Sequence, residues 1–558
     1  MSLPTPTTRG AAEAMTEMGS KLILITPEII LFAGSVLVAV LGLSRSRSIR
    51  GIVPWTTIGF IAAAVIATHV VYGRADDVKA AGLLLPQLGL YLKTLVGVIS
   101  IGLVLVGTGM VDRRYEEAVR DGRVGFDPLR VVRGEYHAFL LLSLAGTMLI
   151  ANANDLIWLF LAIELSSLPT YVMVALGRGS RRNMEAAIKY FFLGAMSSAT
   201  FLYGFALLYG ATGTLSLTGM QEIFATQAAG EGIPLFGILG MILAIIGLCF
   251  KITAVPMHFY APDVYQGAPT PVTGFISFVP KVSGFAAILL LCSALGWSGH
   301  HTIDDAGIKI PIEGLPRPVH ATLWVIAVLT MILGNIGALL QTSVKRMLAY
   351  SSIANSGVML VGVVAGTAGG IDAVLFYLAT YGVATVAIFG ALAGLERQGR
   401  EIDSLEDLSG LWKHHSGMAT MLALGGFSLV GLPPLLGFWG KFDVVVSGIA
   451  AGEVGLVVAL MATSAVSSYY YLQLAGIPIV NRPDARTEGI ATGPSPWPRV
   501  AALVFGIGIL LVPIGTRELM SAAESSTAGS WLEPAQGSEK ASETPAKDDD
   551  PIVASAPR

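Results

Sequence analysis

Residues 249–258 read Cys249-Phe250-Lys251-Ile252-Thr253-Ala254-Val255-Pro256-Met257-His258, and they interrupt an apolar run at positions 233–259. A run of about 20 apolar residues is long enough to cross a bilayer as a helix. Proline removes a backbone donor and clashes with the preceding turn. In a membrane, the carbonyls it frees must be met by protein or water. A lysine beside such a break points to a hydrated pocket at mid-depth, as in the discontinuous helices that build ion sites in transporters. The pattern recurs at Gly431-Leu432-Pro433-Pro434-Leu435-Leu436-Gly437-Phe438-Trp439-Gly440-Lys441. A packing kink with a snorkelling lysine is the alternative, with more force at Lys441, because Asp443 follows.

Working outward, apolar runs fall at 22–43, 52–72, 88–111, 136–152, 155–177, 187–211, 233–259, 272–297, 319–341, 346–366, 371–395, 417–449, 455–477 and 498–515. The fold expected is an all-α polytopic membrane protein of about 14 transmembrane helices, the seventh and twelfth broken. Composition agrees: of 558 residues, 53% are hydrophobic and 13% charged, where a soluble chain carries roughly 25% charge. The first run is too long for a signal h-region and reads as a retained span. Cys249 and Cys292 lie in apolar runs and read as packing residues.

Loops after odd-numbered spans, counted with Arg346 and Arg499 at the edges of the spans that follow, carry 20 Lys and Arg, those after even-numbered spans 4. Under the positive-inside rule both termini lie outside, in the periplasm of a bacterium. The expected divisions are a polar N-terminus (1–21), three helices with a basic loop (22–135), helices 4–8 (136–300), helices 9–13 (301–477), helix 14 (478–517), and a Ser/Ala/Glu/Pro-rich tail (518–558) that reads as disordered.

Charges inside the apolar runs are the functional clue. A charge at the bilayer centre costs roughly 2.5–3.5 kcal/mol on insertion scales, and Glu164, Lys189, Lys251, Lys281 and Lys441 all stand within spans. Glu164 has no opposite charge three or four residues away, so its partner must come from another helix, with Lys251 and Lys189 the candidates. Such a pair, with a further lysine at Lys281, makes a proton relay switched by moving one partner. A fixed ion pair stapling helices is the alternative. His258 extends the chain of polar groups or simply packs. Glu28 and Lys93 lie near span ends and read as interfacial anchors. His300, His301 and His320 read as solvent-exposed. There is no P-loop, Gly-rich dinucleotide motif, Cys-x-x-Cys cluster or bis-histidine haem arrangement, and no sign of nucleic-acid binding. The energy for any pumping comes from elsewhere.

Several segments resemble one family closely. They are Phe160-Leu161-Ala162-Ile163-Glu164-Leu165-Ser166-Ser167-Leu168-Pro169, Ala187-Ile188-Lys189-Tyr190-Phe191-Phe192-Leu193-Gly194-Ala195, Ala261-Pro262-Asp263-Val264-Tyr265-Gln266-Gly267-Ala268-Pro269-Thr270-Pro271-Val272, and residues 341–354 from Gln341 to Ala354. With the Pro-Pro…Gly-Lys run at 433–441, these resemble the antiporter-like membrane subunits of respiratory complex I, and among them the subunit N family. The resemblance implies two inverted five-helix repeats, spans 4–8 and 9–13. It implies Glu164 as the carboxylate modulating Lys251, Lys281 as the central connector and Lys441 as the terminal proton donor or acceptor. It implies no cofactor in this chain, with quinone, FMN and iron–sulfur clusters in partner subunits. It also implies neighbours in the membrane: a sister antiporter-like subunit M and small subunits K, J and A. Asn355 stands where the family often has histidine, and an amide does not titrate. The function implied is proton translocation coupled to quinone reduction elsewhere in the complex. The alternative is a subunit of a multisubunit cation/proton antiporter.

Overall fold

The computed structural model describes residues 19, 21–74, 78, 82–111, 113–177, 181–230, 232–296, 300–303, 309–312, 315–367, 369–397, 399–483 and 489–527. The chain opens with α1 (Thr26–Gly42), α2 (Arg47–Tyr72) and α3 (Leu88–Gly107), then a basic loop holding the short α4 (Arg113–Arg120). A first group follows: α5 (Val132–Ile150), α6 (Leu156–Ala175), α7 (Arg181–Thr212), the short α8 (Leu217–Ala229), α9 (Leu235–Leu248), broken from α10 (Ala261–Gly267), and α11 (Thr270–Leu295). A hairpin, β1 (His300–Ile303) and β2 (Lys309–Ile312), leads to the second group. This is α12 (Arg317–Leu339), α13 (Val344–Ala365), α14 (Gly370–Ala393), the strands β3 (Leu395–Arg397) and β4 (Arg400–Glu401), α15 (Trp412–Val430), broken from α16 (Leu436–Ala450), and α17 (Val454–Val480). Strand β5 (Ile490–Thr492), α18 (Trp497–Leu511) and α19 (Thr516–Thr527) complete it.

Each of the fourteen expected runs thus carries a helix or a broken pair. Nine described helices (α2, α3, α6, α7, α11, α12, α13, α14 and α17) are long and apolar enough to cross a membrane alone. The strands form two small antiparallel sheets in the loops, β1–β2 and β4–β3–β5. One expectation fails: the stretch from 518 read as disordered begins as helix α19. Its Ala523 and Ser526 are buried, and Leu519 and Met520 pack on the core. That apolar face gives the segment a partner the composition does not reveal. Residues 528–558 lie outside the described residues, as do the side chains of His300 and His301.

The two groups repeat each other 188 residues apart. Asp155 bridges to Ser216 and Ser343 to Ser404. Each capping side chain starts the second helix of its group: the Asp155 carboxylate accepts from the backbone N–H of Ile157 and Trp158, and the Ser343 hydroxyl from that of Arg346, satisfying donors left open at a helix start. Gly146 lies against the backbone of Ser166, where a Cβ would come within 2.8 Å of its Cα; Gly334 lies against Ala354, where a Cβ would come within 2.5 Å of its nitrogen. Both first helices therefore cross the second at glycine contact distance.

Helix α11 sits at the centre, with all 26 of its residues buried. Helices α13 and α14 are almost as enclosed. A polar group on α11 meets only other side chains and backbone.

Candidate functional site

At the first break the chain leaves α9 at Cys249, and its open backbone groups find partners. The Phe250 carbonyl accepts from the Tyr260 hydroxyl at 2.7 Å, and the Val255 N–H donates to Thr330 Oγ1 on α12 at 3.0 Å. The Ile252 carbonyl accepts from the Ser356 hydroxyl on α13. Two of these three partners come from the second group, so the break is closed across the repeat boundary. Lys251, 3% exposed, donates to the Ser167 hydroxyl on α6 and lies 5.8 Å from the Tyr171 ring centre.

Lys281 on α11 is fully buried. Its ammonium donates to the Ser352 carbonyl and the Ser356 hydroxyl, and stands 5.2 Å from the Tyr381 ring centre. Ser356 therefore touches both the Lys281 ammonium and the carbonyl one residue past Lys251. The Ser352 hydroxyl meets those of Tyr265 and Tyr381, at 3.0 and 3.1 Å. One helical turn on, Asn355 donates to the Ser351 carbonyl and the Tyr471 hydroxyl, both at 2.9 Å, and accepts from the Tyr377 hydroxyl at 2.7 Å. Both ends of the amide are thus satisfied without a charge.

At the second break α15 ends at Gly431, whose φ of 89° is left-handed, a conformation glycine adopts without strain. Lys441 on α16 reaches back across the break and donates to the Val430 carbonyl at 3.0 Å. A cation there faces the negative end of the α15 dipole. The residue before it, Gly440, packs on the Tyr377 ring, where a Cβ would come within 2.7 Å. The Tyr377 of the Asn355 cluster therefore borders the Lys441 helix.

Three expected members are placed differently. Glu164 makes no ion pair with either lysine among the described residues; its carboxylate accepts from the Ser198 hydroxyl on α7 at 2.5 Å. The Lys251 head stops at Ser167, one turn along α6. Lys189 is 39% exposed and pairs with Asp263 and Glu185, both at 2.6 Å, because it sits near the start of α7, beside α10. His258 is half-buried at the end of the break, its ring 6.1 Å from that of Phe259, and joins no lysine among the described residues.

The motif at 261–272 forms a polar clasp between the two groups. Asp263 pairs with Lys189 and with Arg346, the latter at 2.6 Å. Gln266 donates to Asp403 at 3.0 Å. Glu401 accepts from the Thr270 N–H and hydroxyl at 2.9 and 2.8 Å and pairs with Lys345. Burial works to raise the Asp263 pKa, but hydrogen bonds from Lys189 and Arg346 outweigh it and hold the carboxyl below its ordinary 3.8. Burial likewise works to raise the Glu401 pKa, but Lys345 and the hydrogen bonds from Thr270 outweigh it and hold the carboxyl below its ordinary 4.5.

Sequence reasoning misplaced a second ionic site. Glu28 and Lys93 are not interfacial: they are 4% and 0% exposed and form an ion pair at 2.8 Å. The Lys93 ammonium also stands 5.5 Å from the Tyr72 ring centre. Lys93 also donates to the Leu24 carbonyl at 2.8 Å, which Asn152 shares at 3.2 Å, and Asn152 accepts from Tyr72 at 2.8 Å. The signal was present, since two charges in apolar runs carry the same insertion cost as the lysines. His320 is also paired, to Glu453 at 2.7 Å. Among the described residues no group of three His, Cys, Asp or Glu is placed to hold a metal.

Comparison with known proteins gives the following. The family model for NADH:quinone oxidoreductase/Mrp antiporter transmembrane proteins matches residues 153–303 and 311–467. NADH-quinone oxidoreductase subunit N of Paramagnetospirillum magneticum is 35% identical over 463 residues, 83% of this chain and 89% of that protein. The protein of the same name from Halorhodospira halophila is 33% identical over 506 residues, 90% and 97% of the two chains. A chain of respiratory complex I from Thermus thermophilus with bound aureothin superposes with a TM-score of 0.68 at 29% identity, covering 89% of this chain and 99% of that one. A chain of the Mrp complex from Dietzia sp. DQ12-45-1b has the same fold, with a TM-score of 0.72 at 20% identity over 92% and 97% of the chains.

Proposed function

Because the chain belongs to the NADH-quinone oxidoreductase subunit N family of antiporter-like membrane proteins, we propose that it is the subunit through which a complex I-type enzyme moves one line of protons. The observation that supports this is the string of buried groups between the two helix breaks. It runs from Ser167 and Lys251, across the Ile252 carbonyl and Ser356 to Lys281, and through Ser352, Asn355 and Tyr377 to the flank of Lys441. Each lysine Nζ takes up or gives up one proton, the hydroxyls of Ser167, Ser356, Ser352 and Tyr377 with water entering the route relay it, and the Ile252 carbonyl and Asn355 amide orient those hydroxyls without carrying the proton, with no change in electron count. The proton affinity of a buried lysine is set by its neighbours. Glu164, one turn from Ser167, supplies the charge that changes the balance at Lys251 when it moves relative to Ser198.

The chain carries out no redox step in this reading. Quinone, flavin and iron–sulfur chemistry belong to partner subunits, and the membrane neighbours are the sister subunit M and the small subunits K, J and A. The 20-to-4 distribution of basic residues supports a reading with both termini on the periplasmic face of a bacterial plasma membrane.

The test is proton pumping and quinone reduction measured side by side in vesicles from cells carrying Lys251→Ala. The expected result is loss of both with the complex assembled. Both near the wild-type rate would remove this line of protons from the chain. Pumping that follows a sodium gradient with no quinone turnover would favour the antiporter reading.

A further inference from the structure

Between Lys281 and Lys441 the string of hydroxyls is interrupted by an amide. Asn355 is buried on α13, and in sequence it stands between Ser352 and Ser356, whose carbonyl and hydroxyl hold the Lys281 ammonium. Its orientation follows from its neighbours. The Ser351 carbonyl only accepts, so the amide nitrogen faces it, at 2.9 Å. The amide oxygen then faces the Tyr377 hydroxyl, at 2.7 Å. That oxygen also only accepts, so the Tyr377 proton is committed to it. The remaining amide hydrogen goes to the Tyr471 oxygen at 2.9 Å, which also meets the Ser351 hydroxyl at 2.5 Å. A hydroxyl relays by accepting one proton as it releases another, whereas the amide takes no extra proton at working pH. Tyr377 and Tyr471 flank it, both buried, and among the described residues no hydrogen bond joins them to each other. A proton arriving from Lys281 stops here for as long as the side chain stays in place.

The amide is also tied to the second break. The Tyr377 ring lies against Gly440, the residue before Lys441, where a Cβ would come within 2.7 Å, and the Thr380 hydroxyl lies within 2.8 Å of the same point. No side chain stands between α16 and α14 there, so a shift of α16 moves Tyr377. Lys441 in turn holds α16 to the end of α15 through the Val430 carbonyl. A charged donor bonds more strongly than a neutral one, and a cation is favoured at a helix C-terminus. Loss of the Lys441 proton therefore loosens that hold.

We propose that Asn355 is a gate between Lys281 and Lys441, with Tyr377 as its latch; this rests on the proton route given above. While Lys441 is charged, α16 is held, Tyr377 keeps the amide across the route, and the two lysines exchange no proton. Once Lys441 has released its proton, α16 shifts, the Tyr377 hydroxyl leaves the amide, the Asn355 side chain swings aside, and water bridges the Ser352 hydroxyl to Tyr377. One proton passes from the Lys281 ammonium to the Lys441 amine, with no electrons transferred. The restored charge draws α16 back and closes the gate. The route thereby gains a direction, since it opens to Lys281 only when Lys441 is empty.

The whole complex is reconstituted in liposomes, and two quantities are read: the decay of an imposed pH gradient at rest, and pumping during quinone reduction. Asn355→Ser removes the amide and leaves room for water. Its resting decay is expected to be faster than wild type by about tenfold, the factor that two lost hydrogen bonds of ordinary strength allow. Gly440→Ala keeps every polar group but drives a methyl into the Tyr377 ring, and is expected to speed the resting decay by a smaller factor. It decides the matter if Asn355→Ser does not assemble. Asn355→Leu fills the same space with no polar group, and is expected to keep the wild-type decay at rest while losing pumping and quinone reduction together. Wild-type decay in both Asn355→Ser and Gly440→Ala overturns the proposal, as a purely structural amide would give. So does wild-type pumping in Asn355→Leu. Lys251→Ala, run alongside, separates the two readings: pumping that survives in it removes the route, whereas its loss beside wild-type behaviour of the Asn355 variants removes the gate alone.

Discussion

Lys251 meets the hydroxyl of Ser167, and not the carboxylate of Glu164 one turn away on the same helix. The two halves of the expected pair are each held by a serine, Lys251 by Ser167 and Glu164 by Ser198. On the proposed route the arrangement seen alternates with one in which the ammonium and carboxylate meet.

Ser198→Ala removes the donor that holds Glu164 aside. The expected outcome is a pair biased towards contact, a proton kept on Lys251, and pumping and quinone turnover reduced together by severalfold, as a bias of about 1 kcal/mol implies. Vesicle pumping assays on an assembled complex check it. Unchanged rates in Ser198→Ala would mean that the position of Glu164 does not matter to the cycle.

The clasp predicts an acid limb of stability. The Asp263 and Glu401 carboxyls titrate below their ordinary values in the folded chain. The unfolded chain therefore binds their protons more readily, and their contribution is complete above the ordinary values and lost as pH falls through the folded ones. Both side chains are more than a third exposed, so each pair is worth under about 1 kcal/mol. Thermal unfolding of the solubilised complex should change little between pH 7 and 5 on account of these groups, weaken below about pH 4, and lose part of that acid dependence in Asp263→Asn. An acid limb identical in wild type and variant would show the clasp to be thermodynamically silent.

Lys93→Met leaves the Glu28 carboxylate buried and unpaired, at a cost of about 3–5 kcal/mol. Assembled complex on native gels should fall sharply. Glu28→Gln/Lys93→Met, which removes both charges, should recover most of it. Failure of the double variant to recover would point to a role for the charges beyond their mutual pairing.

Gly146→Ala and Gly334→Ala each drive a methyl into the backbone of the neighbouring helix, at Ser166 and at Ala354. Each should cost about 1–3 kcal/mol, read as a lower unfolding temperature. Equal tolerance of alanine at both sites would show that the paired crossings adjust freely.

The three lysines at the centre were legible because an ammonium in an apolar run has few explanations. Lys189 carries the same signal, yet ends in a half-exposed ionic clasp, because hydropathy does not mark where the protein's polar face begins along a long helix. Glu28 and Lys93 misled in the opposite sense: they stand near helix ends in sequence, and only the packing of Leu24, Tyr72 and Asn152 around Lys93 shows the pair to be enclosed. Tyr377 and Tyr471 were silent, and Asn355 was marked only as standing where the family often has histidine, since hydroxyls and amides in apolar helices cost little to insert and acquire meaning only from partners on other helices. The 188-residue repeat hides for a related reason. Ser167 corresponds to Asn355, and Glu164 to Ser352, so the equivalent positions kept their geometry and changed their chemistry.

The enclosure of α11 has an electrical meaning. A membrane that stores energy as a voltage tolerates no unguarded wire through it, and a helix with no face towards lipid or bulk water is the insulation around one. Carving a void beside Lys281, for instance with Phe278→Ala, would let water in from the side. On the proposed route the damage would appear first as current leaking backwards through a resting enzyme, in vesicles that still hold a correctly folded complex.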